Sequence, residues 1–253
     1  MLLTLPQETV NEVVAHLRSE ERALRSLSVV AKRLTEECRR HLFASIHVDS
    51  RTKVARWCDA IPPGEDGLSR YVRLLDLDGW SEGSLSPSVL LPEHLVHLRS
   101  LTRVEHLKIR PLNFYKFSSG DLVDCFGQFS STIRSICIRP TGDSSALLHF
   151  LAMFPLLEST LITSPVVWRK SEVVDLPDFV CRGDLILKAC KIGDGENILS
   201  CLTRPTTRYR SLGLGLVKVD NPAPLERFFR VCGGSLESIQ FICCFFSEYR
   251  PYP

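Results

Sequence analysis

One pattern, apolar-x-x-apolar-x-apolar, recurs through most of this chain and narrows its fold more than any other feature. It reads Val72/Leu75/Leu77, Val104/Leu107/Ile109, Ile133/Ile136/Ile138, Tyr209/Leu212/Leu214 and Leu236/Ile239/Phe241. Two poorer copies stand between, at Leu157/Thr160/Ile162 and Arg182/Leu185/Leu187. The last positions fall at 77, 109, 138, 162, 187, 214 and 241, at intervals of 32, 29, 24, 25, 27 and 27 residues. The two-residue step that ends each copy is the period of a strand. Between copies the step becomes helical: Leu122, Cys125, Phe126 and Phe129; Leu147, Phe150, Leu151 and Phe154; Leu225, Phe228, Phe229 and Cys232. A strand and a helix per unit predict an α/β repeat whose neighbours bury one another's apolar faces.

A doubly wound α/β sheet also alternates strand and helix, but its central strands are covered on both faces and read as continuous apolar runs. Here Leu107-Lys108-Ile109-Arg110, Ile136-Cys137-Ile138-Arg139 and Leu212-Gly213-Leu214-Gly215 alternate. One strand face is then open, which favours a solenoid. With a period near 27, the array resembles a leucine-rich repeat. The Asn or Cys that usually follows the strand is missing from most copies, so residues 71–253 are read as an irregular, leucine-rich-repeat-like α/β solenoid. Tyr249 to Pro253 come just after the seventh strand without a polar capping repeat, and the expectation is an array cut short.

Residues 1–48 have a different period. Leu5-Pro6 opens a first helix, with Thr4 and Gln7 in capping-box spacing, and Val10, Val13, Val14 and Leu17 form one stripe. Ser19 before Glu20-Glu21 marks a second start, followed by the stripe Leu24, Leu27, Ala31 and Leu34. A third helix over Glu36 to Leu42 leads into a strand-like stretch from Phe43 to Val48. Residues 49–70 read as a helix around Lys53 to Ala60 and a Pro/Gly linker. Three short helices bury little surface alone, so they either cap the following repeats or bind a partner.

The run Leu5-Pro6-Gln7-Glu8-Thr9-Val10, then Val14, Leu17, Ala23-Leu24, Leu27-Ser28-Val29-Val30 and Arg40-His41-Leu42-Phe43, resembles an F-box. It is similar to those in the large F-box families of mushroom-forming fungi. Lys32-Arg33-Leu34 stands where those motifs carry a tryptophan. The resemblance implies docking on the adaptor subunit of an SCF-type cullin–RING ubiquitin ligase, by helix-in-groove recognition. Carried over by position, Leu5, Pro6, Val10, Val14, Leu17 and Leu24 would be the adaptor-binding anchors. It further implies a non-catalytic, cofactor-free ligase subunit whose repeats hold a target protein. Other readings are a non-ligase scaffold, a truncated family member without a working target surface, and an α/β enzyme.

Composition limits the other classes. Of 253 residues, 44% are hydrophobic and 24% charged, enough for a core. The net charge of +2 gives no strong field toward nucleic acid. Ten cysteines without a C-x-x-C suit the reduced thiols of a cytoplasmic or nuclear protein. The opening Met1-Leu2-Leu3-Thr4-Leu5-Pro6 is too short for a signal peptide, no apolar run approaches a membrane span of about 18 residues, and no N-x-S/T occurs. The expectation is an intracellular chain with no membrane partner. No phosphate-binding glycine loop or nucleophile elbow occurs. His94 and His97 lack metal-helix spacing, and Asp76-Leu77-Asp78-Gly79 reads as a strand ending in a turn, so no metal site is expected.

On a solenoid, the strand residues between the buried positions face the open surface. In order these are Asp76, Asp78, Lys108, Arg110, Cys137, Arg139, Leu161, Thr163, Ile186, Lys188, Gly213, Gly215 and Gln240. The set runs from acidic to basic to small. Lys108, Arg110, Arg139 and Lys188 are therefore candidate target-binding residues, suited to an acidic or phosphorylated segment through charge-assisted hydrogen bonds.

Overall fold

A computed structural model of the chain describes residues 6–48, 67–78, 98–99, 101–141, 144–163, 181–192 and 198–242. It opens with three helices, α1 (Gln7–His16), α2 (Glu21–Val30) and α3 (Lys32–Leu42). Their stripes meet one another. Val10, Val14, Leu24, Leu34 and Cys38 form a closed core, with Leu17, Leu27, Ala31 and Leu42 packed against it. Ala31 is extended and breaks α2 from α3, so α3 starts one turn earlier than its stripe suggested. Neither start is capped as expected. Glu20, not Ser19, precedes α2 and makes no side-chain cap. Thr4 lies outside the described residues, and the Gln7 amide instead donates to Asn11 (2.7 Å) and accepts from Arg33 (2.7 Å).

A parallel sheet follows. Its strands are β1 (Ser45–Val48), β2 (Leu74–Asp78), β3 (His106–Asn113), β4 (Ser135–Thr141), β5 (Ser159–Thr163), β6 (Asp184–Lys188), β8 (Ser211–Gly215) and β10 (Ser238–Ile242). The spatial order is the chain order, and every pairing is parallel. Two further strands, β7 (Lys191–Ile192) and β9 (Lys218–Val219), pair separately. The helices between are α4 (Ser119–Phe126), α5 (Ser144–Ala152), α6 (Ile198–Leu202) and α7 (Ala223–Cys232). The chain is thus an α/β fold: three N-terminal helices, then an open eight-stranded parallel sheet with helices.

All seven strand copies, the two poorer ones included, stand in one register. Leu77, Ile109, Ile138, Ile162, Leu187, Leu214 and Phe241 form one column across the sheet, and Leu75, Leu107, Ile136, Thr160, Leu185, Leu212 and Ile239 form the next. Both columns are buried from β2 to β8 and emerge at β10, where Phe241 is 77% exposed. The first position of the triplet is buried too in the copies of β2 to β5 and β8, and Leu236 of the last copy is partly buried; β6 brings one correction. Arg182 points to solvent, and the neighbouring Cys181 fills the core slot. A buried guanidinium there would need a partner, whereas a thiol packs as a small apolar group.

The order never reverses, so the sheet has no doubly wound switch point. Parallel crossovers are right-handed, and a sheet that always grows the same way takes its helices on one face. The burial agrees. Phe126, Phe150, Leu151 and Phe228 share one core cluster with the inward columns, while the alternate strand residues Asp76, Lys108, Cys137, Leu161 and Ile186 are half-buried and Gln240 is exposed; on β8, Gly213 and Gly215 are buried. Edge-to-face rings link Phe126, Phe150 and Phe154, and Tyr209 stacks on Phe228 at 5.6 Å.

One position before the strands, a column of charges runs along the sheet edge. Arg73 pairs with Glu105 (3.4 Å) and Arg134 with Glu158. Backbone bonds link the same residues, from Glu105 N to Arg73 O and from Glu158 N to Arg134 O. Gly183 interrupts the column because the chain passes directly over Glu158 there. A Cβ on Gly183 would stand 1.6 Å from the Glu158 carbonyl oxygen.

Candidate functional site

Two surfaces bear on function. The first belongs to the helical unit. Of the six expected anchors, Leu5 lies outside the described residues, Pro6 is exposed and Leu17 is half-buried against the helical core. Val10, Val14 and Leu24 are at most 1% exposed. This corrects the expectation that their stripes face a foreign groove. Apolar spacing marks a face to be covered but does not say by what, and here the three helices cover one another. The side chains left outside are Val13 (40% exposed), Val29 (84%) and Val30 (72%). The Gln7–Arg33 bond sets the start of α1 beside the α2–α3 corner that carries Val29 and Val30. The sequence held a signal for this pair: both sit off the stripe of Leu24, Leu27 and Ala31, so that face cannot bury them.

The helical unit is also fixed to the sheet. Its strand β1 pairs with β2, and Glu36 on α3 accepts from the Tyr71 hydroxyl (2.5 Å) and from Arg70 (2.8 Å), whose guanidinium lies over the Tyr71 ring. The Tyr71 hydroxyl, helped by the Arg70 charge, holds the Glu36 carboxyl below the usual range. Burial, and the bond to Glu36, push the Tyr71 phenol up.

The second surface is the open face of the sheet. The row Asp76, Lys108, Cys137, Leu161, Ile186, Gly213, Gln240 crosses seven strands in register, as alternation predicted. Arg110 reaches the Asp76 carboxylate at 3.3 and 3.4 Å, and His47 of β1 approaches it from the other side at 3.5 Å. Burial pushes the Cys137 thiol up, against the pull of Arg110, Lys108 and Lys188. Three of the four candidate basic residues therefore share one region around Cys137. Arg139 does not join them. The β3–β4 register shifts between Ile109 and Leu112, so Arg110 and Pro111 stand opposite the single residue Arg139, which is exposed. Lys108, Arg110 and Lys188 are half-buried. The Asp78 side chain and the His94/His97 pair lie outside the described residues.

Among the described residues no group of His, Cys, Asp and Glu is arranged to hold a metal ion, and no helix is long and apolar enough to cross a membrane. No protein-family model matches the chain, and no curated protein matches it in sequence.

Proposed function

We propose that the chain is a substrate receptor of an SCF-type cullin–RING ubiquitin ligase, with the N-terminal helices as an F-box and the repeats as the target-binding part. The observation that carries this reading is the helical unit's division of its apolar residues. It closes a core of its own and still leaves Val13, Val29 and Val30 in water on a small, otherwise polar surface. Scattered single apolar residues need no explanation, but adjacent exposed valines beside a Pro6 corner suit a docking surface. Burying one such side chain contributes roughly 1.5–3 kcal/mol, so a few anchors suffice once association entropy is set against them. The docking residues we assign are thus Pro6, Val13, Val29 and Val30, while Val10, Val14 and Leu24 hold the unit together.

We read the sheet as leucine-rich-repeat-like. Its support is the strictly sequential order and a shared detail of two neighbouring units. Ala189 (φ 52°) and Leu216 (φ 51°) leave their strands through the same left-handed turn, one repeat apart, and the following β7 and β9 pair in register. Cys190, after the β6 strand, is buried with its thiol 3.3 Å from the Lys188 carbonyl, in the role that a Cys after the strand plays in such repeats.

Purified chain mixed with the SCF adaptor subunit should form a stable complex that Val29→Glu with Val30→Glu abolishes. Binding that survives both changes ends this assignment of the surface. A second reading, a scaffold in which the helices only cap the repeats, is favoured by the β1–β2 pairing and the Glu36–Tyr71 bond. It predicts no adaptor binding and loss of folding when residues 1–46 are removed.

A further inference from the structure

We draw no further inference here: the strongest candidate, the end of the sheet at β10 where Ile239 (46% exposed) and Phe241 (77%) emerge from the buried columns, is an unpartnered apolar face among the described residues, and nothing in the structure shows what covers it.

Discussion

Gly183→Ala should damage this fold severely. The added Cβ would sit 1.6 Å from the Glu158 carbonyl oxygen, 2.4 Å from its carbon and 2.9 Å from its Cα. All three are backbone atoms, so no side chain can swing aside. Restoring ordinary contact requires β5 and β6 to part by roughly 2 Å at this point. That movement breaks the Asp184 N–H bond to the Glu158 carbonyl (2.7 Å) and disturbs the Arg210 N–H bond to the Gly183 carbonyl (2.8 Å). Each bond contributes about 1 kcal/mol and the overpacking costs about 1–3 kcal/mol, so the loss should be about 3–5 kcal/mol. This is a large share of the roughly 5–15 kcal/mol that holds a folded domain. Urea unfolding followed by circular dichroism should show the midpoint falling by about 1–2 M. Gly233→Ala is the control. Its Cβ meets nothing within 4 Å and its φ of −62° suits alanine, so stability should hold or rise by about 0.5–1 kcal/mol. A Gly183→Ala protein within about 0.5 kcal/mol of the parent would refute the close backbone approach, and with it the strand placement at β5–β6.

Three further outcomes follow from the packing. Leu24→Ala empties a site in the core of the helical unit and should cost about 2–5 kcal/mol, whereas Val29→Glu with Val30→Glu should leave the melting temperature within a degree or two. Tyr209→Phe removes the hydroxyl that donates to the Leu202 carbonyl at 3.2 Å; burial of that acceptor without a partner should lower stability by about 1 kcal/mol in urea titrations. Acidification should loosen the junction between helices and sheet. The Glu36 carboxyl is held below the ordinary value of 4.5, so its contribution is present above that value and is lost as pH falls through the lower folded-state value. Because Glu36 is half exposed the effect is small, and hydrogen exchange of the Tyr71 segment should detect it in the parent but not in Glu36→Gln.

The strands were legible because each carries two inward positions at the shortest period a chain can show. Even the copies ending in Ile162 and Leu187 stand in register with their neighbours. The first triplet position was less secure, since it lies outside the alternation: Arg182 fitted the count, but burial selected Cys181. The pairing of β7 with β9 was hidden, because two residues after a left-handed turn carry no period. Gly183 was hidden for a related reason, as its necessity comes from a carbonyl 25 positions earlier in the chain. On the open face, the basic residues were correctly placed on strands by alternation, and the shift at Pro111 then set Arg139 apart from the other three. In the helical unit, periodicity identified the apolar stripes and misassigned their cover. Val10, Val14 and Leu24 are what the helices hide from water, and the off-stripe Val29 and Val30 are what they leave in it.

Isothermal titration of the full chain with the purified SCF adaptor subunit bears most directly on the role proposed for the helical unit. That role requires saturable one-to-one binding that disappears in the Val29→Glu, Val30→Glu protein while its melting curve stays that of the parent. Absence of heat with the parent chain, or an isotherm unchanged by the two glutamates, contradicts it.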